Sequence, residues 1–77
     1  MTNKEILDIV INKTKSIKEI ENVSLLDRFK EDLGFDSVDM LELILFLESK
    51  FHISFSSSFV VLTIQDALNY INKHIKH

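Results

Sequence analysis

The stretch Glu31-Asp32-Leu33-Gly34-Phe35-Asp36-Ser37-Val38-Asp39, running on through Leu41-Glu42-Leu43 and Leu47-Glu48 to Phe51, decides the fold of this chain. Gly34 is the only glycine among 77 residues, and there is no proline. A turn at the one flexible residue, then a polar cap, then an unbroken apolar and acidic run predicts a helix from Asp36 or Ser37 to Lys50. At about 100° per residue, Met40, Leu43, Ile44, Leu47 and Phe51 fall on one stripe, the expected core face. Val38, Leu41 and Leu45 fall roughly opposite, beside Glu42 and Glu48. Phe46 and Asp39 lie further round, with Phe46 expected under a later segment.

A one-sided surface helix has no use for that second apolar group. Two explanations stand side by side. Another segment covers it, or it is a docking surface of apolar side chains in an acidic rim.

Working outward from this helix, the last third contains Thr63-Ile64-Gln65-Asp66, which has capping-box spacing and opens a helix burying Ile64, Ala67, Leu68, Ile71 and Ile75. Between the two, Ser54 to Leu62 reads either as a serine-rich turn or as a short helix around Phe55, Phe59, Val60 and Val61. At the other end, Thr2-Asn3-Lys4-Glu5 has the same capping spacing and predicts a first helix with a stripe of Ile6, Leu7, Val10 and then Ile11 or Thr14. A long loop, roughly Ser16 to Phe35, follows. It contains a turn at Ser24-Leu25-Leu26-Asp27 and is anchored by Leu26, Phe29 and Leu33. A loop of that length in a small domain is either functional or pinned by buried side chains.

The absence of strand alternation, with several stretches of helical period, makes the chain all-α. Its length allows one domain, residues 1–77, and one core. No apolar run approaches the ~20 residues of a membrane span. Residues 1–20 lack the basic start and apolar block of a signal peptide, so a cytoplasmic location is expected. There is no cysteine, which removes disulfides, a thiol nucleophile and zinc–thiolate sites. Charge is unevenly placed. Residues 27–50 carry seven acids against three bases, whereas residues 1–26 balance at four each. An acidic middle third disfavours nucleic acid and suits basic protein partners, or it is simply a solvated helix face.

Ser37 opens the central helix. Serine there is commonly a cap. It is also a hydroxyl at the end of a helix where free N–H groups and the helix dipole favour an attached anion. His52, His74 and His77 do not converge with other ligand types at metal spacing, so no metal site is expected. There is no Gly-x-Ser-x-Gly elbow and no glycine-rich phosphate loop, and no catalytic residue is assigned.

The run Glu31 to Asp39, with Leu41-Glu42-Leu43, Leu47-Glu48 and Phe51, resembles the acyl carrier protein family, whose core is Leu-Gly-x-Asp-Ser-Leu/Val-Asp followed by an acidic and apolar helix. Thr63-Ile64-Gln65-Asp66-Ala67-Leu68 with Tyr70-Ile71 resembles the start of the family's last helix. The resemblance covers nearly the whole chain. It implies a small four-helix bundle with a short third helix, acting as a monomeric carrier and not as an enzyme.

The resemblance further implies a 4'-phosphopantetheine arm, moved from coenzyme A onto the Ser37 hydroxyl by a phosphopantetheinyl transferase, with Asp36 helping to place the metal-bound diphosphate. The thiol of the arm, rather than a protein cysteine, then bears the acyl thioester. Val38, Asp39, Leu41, Glu42, Leu45 and Glu48 match the positions contacted by partners, which would be acyl-transfer and fatty acid synthase enzymes with basic docking patches. Phe29, Met40, Ile44, Leu47, Val61 and Leu68 are expected to bound a core that shelters the acyl chain. In one respect the chain departs from the pattern. Phe55-Ser56-Ser57-Ser58-Phe59-Val60-Val61 replaces the acidic third helix usual in carriers of fatty acid synthesis. A carrier for a polyketide or amino-acyl pathway, and an unmodified helical interaction module, are the alternative readings.

Overall fold

The computed structural model describes residues 2–55 and 61–75. Among them are three helices, α1 (Asn3–Lys18), α2 (Ser37–Phe51) and α3 (Ile64–His74), and α1 packs against both α2 and α3. The expected short third helix falls chiefly on residues 56–60, outside the described residues.

Each helix begins with a closed capping box. Thr2 and Glu5, Asp36 and Asp39, and Thr63 and Asp66 exchange side-chain and backbone hydrogen bonds across the first turn. Such boxes satisfy donors that would otherwise be orphaned and fix where the helix starts. The ends of α1 and α2 follow another rule. Glu19 and His52 close them in the left-handed region, at φ 55° in both. Their amides return to the Lys15 and Glu48 carbonyls. Glycine or asparagine is the usual residue at such a stop. α1 consequently runs three residues into the expected loop, through Lys18, and its last turn carries Ile17 against the core.

The core lies where the three helices and the α1–α2 loop meet. Ile6 and Val10 from α1, Leu43, Leu47 and Phe51 from α2, and Ile64, Ala67, Leu68 and Ile71 from α3 are buried, with Phe29 and Phe35 from the loop. Burying a side chain of this size contributes about 1.5–3 kcal/mol. Thr14 is the buried polar residue of α1, and its hydroxyl donates to the Val10 carbonyl at 2.8 Å. Met40 packs on the edge of the core and Ile44 is half-buried, so the expected stripe of α2 is buried along Leu43, Leu47 and Phe51 and thins at its flanks.

The α1–α2 loop is pinned by main-chain bonds to the start of α3. The Phe29 amide donates to the Leu62 carbonyl at 2.9 Å, and the Ile64 and Gln65 amides donate to the Asp27 and Leu25 carbonyls. Arg28 and Thr63 thereby form an isolated antiparallel bridge. The expected turn is present, with the Ser24 amide on the Asp27 carboxylate at 2.8 Å. Leu26 is not the core anchor expected of it. It sits between the two residues whose carbonyls are tied to α3 and is 78% exposed. The loop is anchored by Phe29 and Phe35, whose ring centroids are 5.3 Å apart, while Leu33 is half-buried.

Candidate functional site

The site is the first turn of α2 and the helix face that follows it. Gly34 precedes it with φ 72°, a left-handed conformation costly for any residue with a Cβ. Among the described residues, its two chain neighbours aside, no atom lies within 4 Å of where a Gly34 Cβ would be, so backbone conformation calls for glycine here. The turn is held because the Phe35 amide donates to the Phe29 carbonyl at 2.8 Å and the Phe35 ring is buried.

Ser37 is the first residue within α2, and Asp36 is the cap. The reading of Ser37 as a cap is therefore corrected. An Asp36 carboxylate oxygen accepts the Asp39 amide at 2.9 Å, and an Asp39 carboxylate oxygen accepts the Asp36 amide at 3.0 Å. Asp36 performs the capping that serine otherwise would, so Ser37 is exposed with its hydroxyl uncommitted among the described residues.

The same Asp39 oxygen accepts a hydrogen bond from the Lys18 ammonium at 2.8 Å. The Lys18 bond, assisted by the Asp36 amide, holds the Asp39 carboxyl below its ordinary range, and Asp39 in turn raises the Lys18 ammonium. Both groups stay ionised across the neutral range. An exposed hydroxyl, the unbonded amides of the first turn and a positive helix end form a donor set that fits an attached phosphodiester.

Further along α2, Val38, Leu41 and Leu45 are 72%, 58% and 54% exposed. The covering segment of the first explanation is not found among the described residues. Glu42 is exposed and lies 3.5 Å from the Lys13 ammonium. That ammonium also sits 4.9 Å above the Phe46 ring, so Phe46 faces α1. Glu48 departs from the expected picture of a rim acid. It is half-buried, and its carboxylate accepts the Phe55 amide at 2.8 Å.

Of the residues expected to bound an acyl chain, Phe29, Leu47 and Leu68 belong to the core, with Met40 and Val61 packed against it; Ile44 is half-buried. No buried side-chain nitrogen or oxygen lacks a partner among the described residues. His52 closes α2, and His74 stacks on Tyr70 with ring centroids 4.1 Å apart. The roles of Lys13 and Lys18 are not legible in the sequence. Neither has a spacing signal, because each meets its acid only when α1 lies along α2. Among the described residues no helix is long and apolar enough to cross a membrane.

A family model described as "Phosphopantetheine attachment site" matches residues 4–71. The chain is 34% identical to an acyl carrier protein of Phytoplasma australiense, over 97% of this chain and 99% of that protein. It is 35% identical to an acyl carrier protein of Campylobacter concisus, over 91% of each. Its fold is similar to the solved structure of a candidate acyl carrier protein from Mycobacterium tuberculosis, with a TM-score of 0.80, 23% identity, and 87% of this chain and 95% of that one covered.

Proposed function

This chain belongs to the acyl carrier protein family, whose members bear a covalent 4'-phosphopantetheine group, and from that premise we propose that Ser37 is the attachment residue and that the cargo is an intermediate of fatty acid biosynthesis. The observation that carries this reading is the division of labour at the start of α2. Asp36 caps the helix, so the neighbouring hydroxyl is exposed and free to be esterified.

The group, once attached, supplies a terminal thiol on which an acyl chain is held as a thioester. This chain's own residues do the rest. The Ser37 oxygen would bond to the phosphorus on the pantetheine side of coenzyme A as the diphosphate P–O bond breaks; adenosine 3',5'-bisphosphate leaves with the electron pair, and the hydroxyl proton passes to a base of the transferase. The positive end of α2 favours the anion placed there. Asp36, the residue before Ser37, is engaged in the cap through one oxygen and suits a role in placing the metal-bound diphosphate of the donor within the transferase.

The exposed Val38, Leu41 and Leu45, with Asp39 and Glu42 beside them, suit partners that combine a basic patch with an apolar contact. These are the phosphopantetheinyl transferase and the acyl-transfer and synthase enzymes. Phe29, Met40, Ile44, Leu47, Val61 and Leu68 offer an alkyl chain an environment of apolar side chains. Each CH₂ buried there is favoured by about 0.8 kcal/mol, less the cost of parting the core. A plain hydrocarbon suits that lining better than an amino-acyl group, whose ammonium would have no partner. Carriers of this kind act where acyl chains are built, and we place this one in the cytoplasm.

The test is the intact mass of protein from its native host, with the attached group identified by fragmentation. A saturated or 3-oxo alkanoyl phosphopantetheine on Ser37 is the expected result. A modification on another residue overturns the site. An aminoacyl or branched polyketide group on Ser37 leaves the site standing and overturns the pathway.

A further inference from the structure

Ser37 stands between two carboxylates, Asp36 and Asp39, that form the capping box of α2. A phosphodiester on its hydroxyl would add a third negative charge within one helical turn. Of the three ion pairs among the described residues, the one that reaches this turn comes from outside α2. Lys18, the last residue of α1, places its ammonium 2.8 Å from the Asp39 oxygen that also accepts the Asp36 amide. The Asp39 side chain is only 17% exposed, whereas Asp36 and Ser37 are open to solvent.

We propose that Lys18 is a positioning residue for the modification, supplying from α1 the counter-charge that lets the first turn of α2 carry an anion beside two carboxylates. This rests on Ser37 being the attachment residue. The ammonium is delivered by tertiary structure. α1 stops at Lys18 because Glu19 turns left-handed, and the Glu19 and Ile20 amides both close on the Lys15 carbonyl. Ile17 is packed against the core beside it. Lys18 thus approaches α2 from a fixed point. Its ammonium is raised first by the hydrogen bond to Asp39 and also by the charges of Asp39 and Asp36, so it senses both acids that flank Ser37.

In the unfolded chain Lys18 is far from Ser37, and the benefit vanishes. A lysine that merely clasped α1 to α2 would stabilise the unmodified and modified forms equally. A counter-charge for the attached anion stabilises the modified form more. That difference is what the experiment reads.

Wild type, Lys18→Met and Lys18→Arg are prepared unmodified, and then modified with coenzyme A, magnesium and a broad-specificity transferase. Each form is unfolded in urea at about 20 mM and at about 0.5 M salt, where the Debye length falls from roughly 20 Å to roughly 4 Å. At low salt, Lys18→Met is expected to lower the unfolding stability constant of the modified form about two- to five-fold more than that of the unmodified form. The extra loss should disappear at high salt, and Lys18→Arg should restore the wild-type difference. An independent measurement needs no variant. The titration of the Lys18 ammonium, followed by NMR in wild type, is expected to move to higher pH on modification. Equal losses in the two forms, or an ammonium titration unmoved by modification, overturns the role of Lys18 and leaves the attachment site intact. Failure of wild type to gain the group on Ser37 overturns both.

Discussion

The Glu48 carboxylate accepts the Phe55 amide at 2.8 Å, while the Glu48 carbonyl accepts the amides of His52 and Ile53. One residue thus stops α2 and fixes the chain that leaves it. Glu42, six residues earlier on the same helix, is exposed and pairs with Lys13. Two acids that look alike in the sequence therefore have different work. Glu48→Lys is expected to destabilise the fold by about 1–3 kcal/mol, because a partly buried amide loses its acceptor. Glu42→Lys should stay within about 0.5 kcal/mol of wild type. Association with the transferase, measured by surface plasmon resonance at low and high salt, should instead slow for Glu42→Lys and lose part of its salt dependence. Destabilisation by Glu42→Lys equal to that by Glu48→Lys would show the distinction to be wrong.

Asp36 and Ser37 should separate stability from modification. Asp36→Ala removes the cap and is expected to cost about 0.5–2 kcal/mol. Ser37→Ala keeps the cap and should change urea stability by no more than about 0.5 kcal/mol. Ser37→Ala nevertheless should gain no phosphopantetheine mass under conditions that convert the wild type completely. A Ser37→Ala protein that still becomes modified would remove Ser37 from the site.

Leu47 and Leu45 lie two residues apart and face opposite ways. Leu47 is 1% exposed and Leu45 54%. Leu47→Ala is expected to cost about 2–5 kcal/mol, the usual range for emptying a packed leucine site. Leu45→Ala should leave the denaturation midpoint near wild type and raise the dissociation rate of a bound partner enzyme, since it removes apolar contact area without altering long-range attraction.

Gly34→Ala tests the left-handed turn before the site. No neighbour obstructs a Cβ there, so the whole effect comes from φ 72° and should be about 1–2 kcal/mol. Gly34→Asn should cost less, because asparagine tolerates that region better. Equal losses for the two, by urea denaturation, would point instead to a steric cause.

Acid should weaken the protein through identified carboxylates. Asp39 is held below its ordinary value of 3.8 chiefly by Lys18, and Asp32 below the same value chiefly by Arg28. Glu5 is lowered by its bonds to Thr2. A depressed carboxylate contributes stability that is complete above its unfolded value and is lost as pH falls through the folded one. Urea midpoints should therefore be flat near neutrality and decline as pH falls through and below about 4. Asp39→Asn should make that decline shallower, and an unaltered slope would show that the Lys18 bond adds nothing.

Much of this protein follows from local pattern. The capping spacings at Thr2 and Thr63 declare where two of the helices begin, because a cap needs only residues three apart; that Asp36 rather than Ser37 caps α2 is visible only in the structure. The buried row Leu43, Leu47 and Phe51 follows from helical period, as does the separation of Val38, Leu41 and Leu45 onto another face. Resemblance to the family distinguishes Ser37 from the other serines. Tertiary structure decided the rest. Periodicity sorts side chains into faces without saying what covers them, so only the folded arrangement shows Val38, Leu41 and Leu45 exposed. Leu26 is apolar yet exposed because the carbonyls on either side of it are bonded to α3. The left-handed stops at Glu19 and His52 carry no glycine to mark them. Lys18 reaches Asp39, and Glu48 reaches Phe55, only after helix ends and turns have brought distant charges and amides within 3 Å. Such bonds depend on position in space, and residue order along the chain does not encode them at any fixed spacing.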